Sequence, residues 1–189
     1  MRTERWEIDS SHSSVHFSVR HLVIARVRGS FTRWSGTVQV PDGDFSKATI
    51  DVTIDASSID TSVADRDAHL KSADFLDARR YPELRFLGKR VQEPSGAEID
   101  VVGDLTIKDV TREVVLRVEQ HGQTKDPWGN VRAAFTAKVS IDRKDFGLTW
   151  NQVLETGGVM VGDRVDIEAE IEAVKQVEAE VAAGSPVRA

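Results

Sequence analysis

The sequence predicts an all-β fold in which about eight antiparallel strands close on themselves and one short helix covers an end. Three observations carry this. The first is a period of two in hydrophobicity: Val15, Phe17 and Val19 alternate with polar residues, as do Ile99, Val101, Gly103, Leu105 and Ile107, and later Val165, Ile167, Ala169, Ile171 and Ala173. Side chains alternate faces in a strand, so each such segment has one dry face. The second is turn chemistry between segments, as in Pro41-Asp42-Gly43-Asp44 and Asp126-Pro127-Trp128-Gly129-Asn130, whose residues preset or tolerate turn dihedrals. The third is a single break in the rhythm around residues 62–76, where the spacing is helical.

In chain order the strands are expected at 14–22, 27–40, 47–56, 83–91, 97–107, 112–121, 131–142 and 163–174. The hairpin between the fifth and sixth turns at Lys108-Asp109-Val110-Thr111. The helix carries Ala64, Ala68, Leu70, Ala73, Phe75 and Leu76 among charges, with a cap at or near Ser62 and Asp67 placed to pair with Lys71. One domain over residues 1–174 and a frayed or disordered tail over 175–189 complete the expectation.

Composition narrows the function. A net charge of -6 argues against the basic surface that duplex nucleic acid requires. With no cysteine there is no disulfide framework, thiolate nucleophile or cysteine metal site. The charged start, Met1-Arg2-Thr3-Glu4-Arg5, and the lack of any membrane-spanning apolar run lead to the expectation of a soluble, cytoplasmic protein that does not span a membrane.

An eight-stranded barrel is either just filled by side chains or just wide enough for a small ligand. Small inward positions (Ala48, Ala56, Ala97, Gly103, Ala133, Ala137, Ala169 and Ala173) leave room along the axis, or else make space for the rings of Trp6, Phe17, Phe31, Phe86, Phe135 and Trp150. Both readings stand at this stage. If a tunnel exists, an extended hydrocarbon suits it, since each buried CH2 contributes roughly 0.8 kcal/mol.

Polar candidates are weaker. Ser10-Ser11-His12-Ser13-Ser14-Val15-His16 contains fragments of metal and hydrolase sites, yet no carboxylate cluster or Gly-x-Ser-x-Gly elbow accompanies it. No catalytic residue, metal ligand or cofactor is therefore assigned. His21 follows Val15, Phe17 and Val19 in phase and is a candidate inward polar group near a barrel end, with a structural hydrogen-bonded histidine as its alternative. Arg26, Arg28 and Arg33 form a basic edge suited to a diphosphate or carboxylate head group, or simply a solvated outer face.

Longer motifs add a resemblance. His12-Ser13 leading to Phe17-Ser18-Val19-Arg20-His21, the run from Thr61 through Asp65-Arg66-Asp67-Ala68-His69-Leu70-Lys71 to Phe75-Leu76, Gly103-Asp104-Leu105-Thr106-Ile107-Lys108 and Arg143-Lys144-Asp145-Phe146-Gly147-Leu148-Thr149-Trp150-Asn151 together resemble the YceI-like family over nearly the whole chain. The resemblance implies an extended lipocalin-like barrel around a hydrophobic tunnel. It also implies a long isoprenoid or other amphiphilic lipid ligand, polyprenyl phosphate or quinone-like, and in many members a dimer. On that basis the tunnel lining is expected to include Phe17, Val19, Phe31, Phe86, Leu105, Phe135 and Trp150, with His21 toward the head group. Asp109 stands where the family has glycine, and the secretory signal of many periplasmic members is missing. Two other functions fit the same barrel: sequestration of lipophilic antibiotics or fatty amides, and an enzyme acting on a bound lipid through His12, His16 or His69.

Overall fold

The computed structural model describes residues 2–22, 24–95, 98–155 and 158–176, and its strand segments combine into eight long staves. β1 (Thr3–Ile8) and β2 (Ser14–His21) lie end to end along β11 (Val161–Lys175) and form the first stave, interrupted at residues 9–13. β3 (Ala25–Phe31) and β4 (Trp34–Pro41) form the second, and β5 (Thr49–Asp55) and β6 (Ile59–Asp60) the third. β7 (Glu83–Ser95), β8 (Glu98–Ile107), β9 (Val110–Lys125), β10 (Val131–Asp142) and β11 supply the rest. Each stave is antiparallel to the next, and β11 returns to pair with β1 and β2, through Ile8↔Ala173 and Val15↔Ala169. A ring closed in this way has no free edge to recruit a foreign strand.

The eight expected strands all appear. The differences lie in their breaks. Residues 27–40 were expected as one strand, but Thr32 and Arg33 interrupt it: Arg33 reaches Asp55 and Ser57 on the next stave, while the Thr32 amide donates to the Ser58 carbonyl. The segment Thr3–Ile8 was not expected as a strand. Its inward positions hold only Trp6, Ile8 and the charged Glu4, which the Lys175 ammonium neutralises at 2.5 Å.

The helix is shorter than the helical spacing suggested. α1 (Ala64–Lys71) is capped by Val63 without a side-chain bond, because Ser62 lies outside the helix with φ +64°. Asp67 does not pair with Lys71; its Oδ1 accepts from the Thr61 amide and hydroxyl at 2.8 and 2.5 Å and pins the entry to the helix. In the β8–β9 hairpin the positive φ, +58°, falls on Lys108, so Asp109 need not adopt a left-handed conformation and its Oδ2 instead accepts from the Tyr81 hydroxyl.

Two buried clusters stabilise the barrel. The larger joins Ile59, Leu76, Leu84, Phe86, Leu105, Ile107, Ile141, Phe146 and Leu148. Most of it sits toward the end where α1 and the residues after β10 cross the staves. The smaller gathers Trp6, Val40, Ala48, Ala133 and Ala173 toward the opposite end. The residues expected as a tail lie outside the described residues from 177 onward, as does Ala97; Lys175 is the last residue of β11 and Gln176 donates to Arg5.

A candidate apolar tunnel

Between the two clusters runs a cavity of about 320 Å³. Its wall draws on every stave and extends from Trp6, Phe45 and Ala173 at one end to Leu70, Phe75, Ile107 and Leu148 at the other. The lining is apolar apart from His16, Gln120 and Arg143, and the His16 side chain is exposed on the outer face. This volume is at the lower end of what holds small-molecule ligands, about 300–1,000 Å³. A space so lined stays dry or takes up hydrocarbon, because water would find no hydrogen-bond partners there.

Of the seven expected lining residues, Phe17, Val19, Phe31, Phe86, Leu105 and Phe135 lie in this wall. Trp150 does not. It stands in the long connection from β10 to β11, where no strand phase turns it inward, and packs against His69 at 4.6 Å and Phe75 at 5.3 Å between ring centres. His21 is half-buried at the end of β2, opposite Val161, one step beyond the wall. Leu70, Phe75 and Leu76, contributed by α1 and the turn after it, were not anticipated as wall although their apolar spacing was visible.

The small residues divide between the two roles weighed for them. Ala48, Ala137, Ala169 and Ala173 border the cavity. Gly103 instead makes room for a ring: a Cβ there would meet the Phe86 ring at 2.6 Å and overlap the Leu87 carbonyl oxygen. Gly29 does the same for Phe17.

Arg143 opens one of the motifs that carry the family resemblance but was given no role there, and it is buried in the tunnel wall (3% exposed). Its guanidinium donates to the carbonyls of Leu148 at 2.5 Å and of Gly162 and Trp150 at 2.9 Å. Asp163 Oδ1 lies 3.6 Å away, beyond hydrogen-bond range. Burial draws the guanidinium pKa down, against the pull of Asp163 and Asp142. With its donors committed to the chain, Arg143 anchors the connection across the barrel end.

Asp9, His12 and Glu172 bring one potential ligand atom each within 4.8 Å of one another at the break in the first stave. Arg132 already occupies that position: it bonds Asp9 and Asp126 at 2.9 Å each and also Glu172. Hydrogen bonds from Ser11, then those of His12 and Arg132, hold the Asp9 carboxyl below the usual range. At Asp126 burial opposes ionisation, but bonds from Asn130 and Arg132 outweigh it and hold the pKa at about 2. Nor do Ser11, His12 and Asp9 form a catalytic relay. Serine and aspartate both meet the imidazole at Nδ1, whereas a relay needs one on each nitrogen. His16 and His69 stand elsewhere, on the outer face and on α1 beside Asp74. Arg26, Arg28 and Arg33 are all on the outside of the barrel.

A closed up-and-down antiparallel barrel with an apolar axial cavity is a ligand-binding barrel in architecture. The chain belongs to the YceI-like domain family, which matches residues 6–173. It is 40% identical over 165 residues to the UPF0312 protein SAS2572 of Staphylococcus aureus, an alignment covering 87% of this chain and 94% of that relative. Among solved structures it is similar to Burkholderia cenocepacia BcnA, with a TM-score of 0.76, 22% identity and coverage of 87% and 98% of the two chains. It is also similar to the Campylobacter jejuni YceI protein (TM-score 0.69, 29% identity, 84% and 90%). A polyisoprenoid binding domain from Saccharophagus degradans shares the fold, with a TM-score of 0.65 at 12% identity over 90% and 98% of the chains. No helix among the described residues is long and apolar enough to cross a membrane.

Proposed function

We propose that this chain binds a polyisoprenoid or similar amphiphilic lipid, holding its hydrocarbon part in the barrel for transport, storage or sequestration. The observation that carries this reading is the continuous apolar cavity along the axis of a closed barrel. The fold shared with a polyisoprenoid binding domain supports it. The chain acts as a binding protein rather than an enzyme: His12, His16 and His69 sit in three separate places, and none is joined to an acid and nucleophile in relay geometry. His21, at the end of the stave that carries Phe17 and Val19, meets the head group. Two copies associate as in other members of the family, which light scattering on the purified protein tests directly.

Native mass spectrometry of protein purified from its own host, followed by organic extraction, tests the main reading. A stoichiometric isoprenoid is the expected result. Ligand-free protein that also refuses polyprenyl phosphate, quinone and polyprenol in titration would refute it, and a fatty amide or lipophilic antibiotic in the extract would move the assignment to sequestration of those compounds. For His21, replacement by alanine should weaken polyprenyl phosphate binding more than polyprenol binding. Equal losses would remove it from the head-group site.

A further inference from the structure

Two loop tips at one end of the barrel carry apolar side chains into solvent. Leu22 and Ile24 sit at the β2–β3 tip, and Ile24 is 91% exposed. Val153 and Val159 pair across a small ladder in the connection before β11, and Val153 is 82% exposed. The tips are neighbours, because the Leu22 amide donates to the Met160 carbonyl at 2.9 Å. Such a cluster on a folded chain marks an interaction surface.

Its surroundings indicate the partner. Behind the first tip, Arg20 and Arg26 are register partners on the outer face, with Arg28 next along β3 and Arg164 on the adjoining β11. All four are exposed, on a chain whose net charge is -6. The acids nearby are Asp166, which pairs with Arg26 and Arg164, Asp163, which Lys144 neutralises, Glu168, which pairs with Lys138, Glu98 and Asp100, which pair with Arg117, and Glu155 on the second tip. Protruding aliphatic tips backed by arginines match the two layers of an anionic lipid surface, with apolar groups entering the acyl boundary and guanidinium groups at the phosphates. The tips also adjoin the tunnel: Val161, next to Met160, and Val19, two residues before His21, both belong to its wall.

We infer that this end of the barrel docks on anionic membrane surfaces, bringing the tunnel against the bilayer from which lipid is taken or to which it is returned. The inference rests on the lipid-binding reading above. It predicts that the protein floats with phosphatidylglycerol vesicles more strongly than with phosphatidylcholine vesicles. The double variant Ile24→Ser/Val153→Ser should lower that partition by roughly tenfold or more, since two aliphatic side chains no longer leave water. Arg20→Gln/Arg26→Gln should erase the preference for phosphatidylglycerol. Uptake of polyprenyl phosphate from solution without vesicles is measured in parallel and should be unchanged in the serine variant. Wild-type protein that ignores both vesicles, or a serine variant that floats like wild type, would overturn the docking surface whether or not uptake from solution occurs. Flotation with the predicted variant effects but no uptake would uphold the surface and refute the tunnel.

Discussion

Ala137 and Ala169 face each other across β10 and β11 and both border the cavity, whereas Ala133, four residues before Ala137, is 1% exposed and packed in the cluster with Trp6 and Val40. Leucine at position 137 would add three carbon atoms to the wall, filling space that hydrocarbon otherwise occupies. At roughly 0.8 kcal/mol for each CH2 displaced, lipid affinity should fall by about 2.4 kcal/mol, roughly fiftyfold. The unliganded barrel should become more stable, because the added atoms leave water for a lined void. Each kcal/mol gained would raise Tm by about 2–4 °C in a chain of this size. Ala133→Leu supplies the contrast: in a filled cluster, overpacking costs about 1–3 kcal/mol and Tm should drop. Calorimetric unfolding of the free protein and fluorescence titration with a polyprenyl probe measure the two effects. An Ala137→Leu protein that binds lipid normally and melts lower would show that the space beside Ala137 is not one a ligand uses.

Gly103→Ala should destabilise the fold by more than about 2 kcal/mol in urea titration, since the new methyl meets the Phe86 ring and the Leu87 carbonyl oxygen at once. Replacing Arg143 with lysine should cost several kcal/mol and speed proteolysis of the connection before β11, because one ammonium cannot serve the carbonyls that the planar guanidinium reaches; unchanged stability would refute its role as an anchor. Arg132 contributes to acid stability through Asp9 and Asp126. Asp9 and Asp126 have folded pKa values below the ordinary 3.8, so their contribution is complete above that pH and fades as pH falls from about 4 through about 2. Arg132→Gln should flatten the dependence of unfolding free energy on pH in that window, and a slope equal to wild type would show that the network does not set it.

The staves were legible because inward and outward residues alternate along most of them, and register then follows from one dry face. The breaks were not. Asp9 and Arg33 read as ordinary polar residues, and only their distant partners, Arg132 and Asp55, explain why the chain steps aside there. The tunnel wall was legible wherever a residue occupied an inward strand position, as Phe17 and Phe135 do. Trp150 was misplaced because it lies in a connection, where phase carries no information. The role of Arg143, a residue noted only as part of a motif, was not legible for a related reason: its partners are backbone carbonyls, which leave no mark in a sequence.

The ring is closed by its first and last staves, with Trp6 meeting Lys175 and Val15 meeting Ala169. On the ribosome, the N-terminal strands must therefore wait for nearly the whole chain before their outer edge is covered. Until β11 emerges, both β10 and the first stave present unpaired backbone groups, the condition under which nascent β proteins recruit one another. A chain cut before Val161 would leave both edges bare permanently. Nonsense or frameshift lesions late in the gene should thus yield aggregates rather than a shortened binding protein.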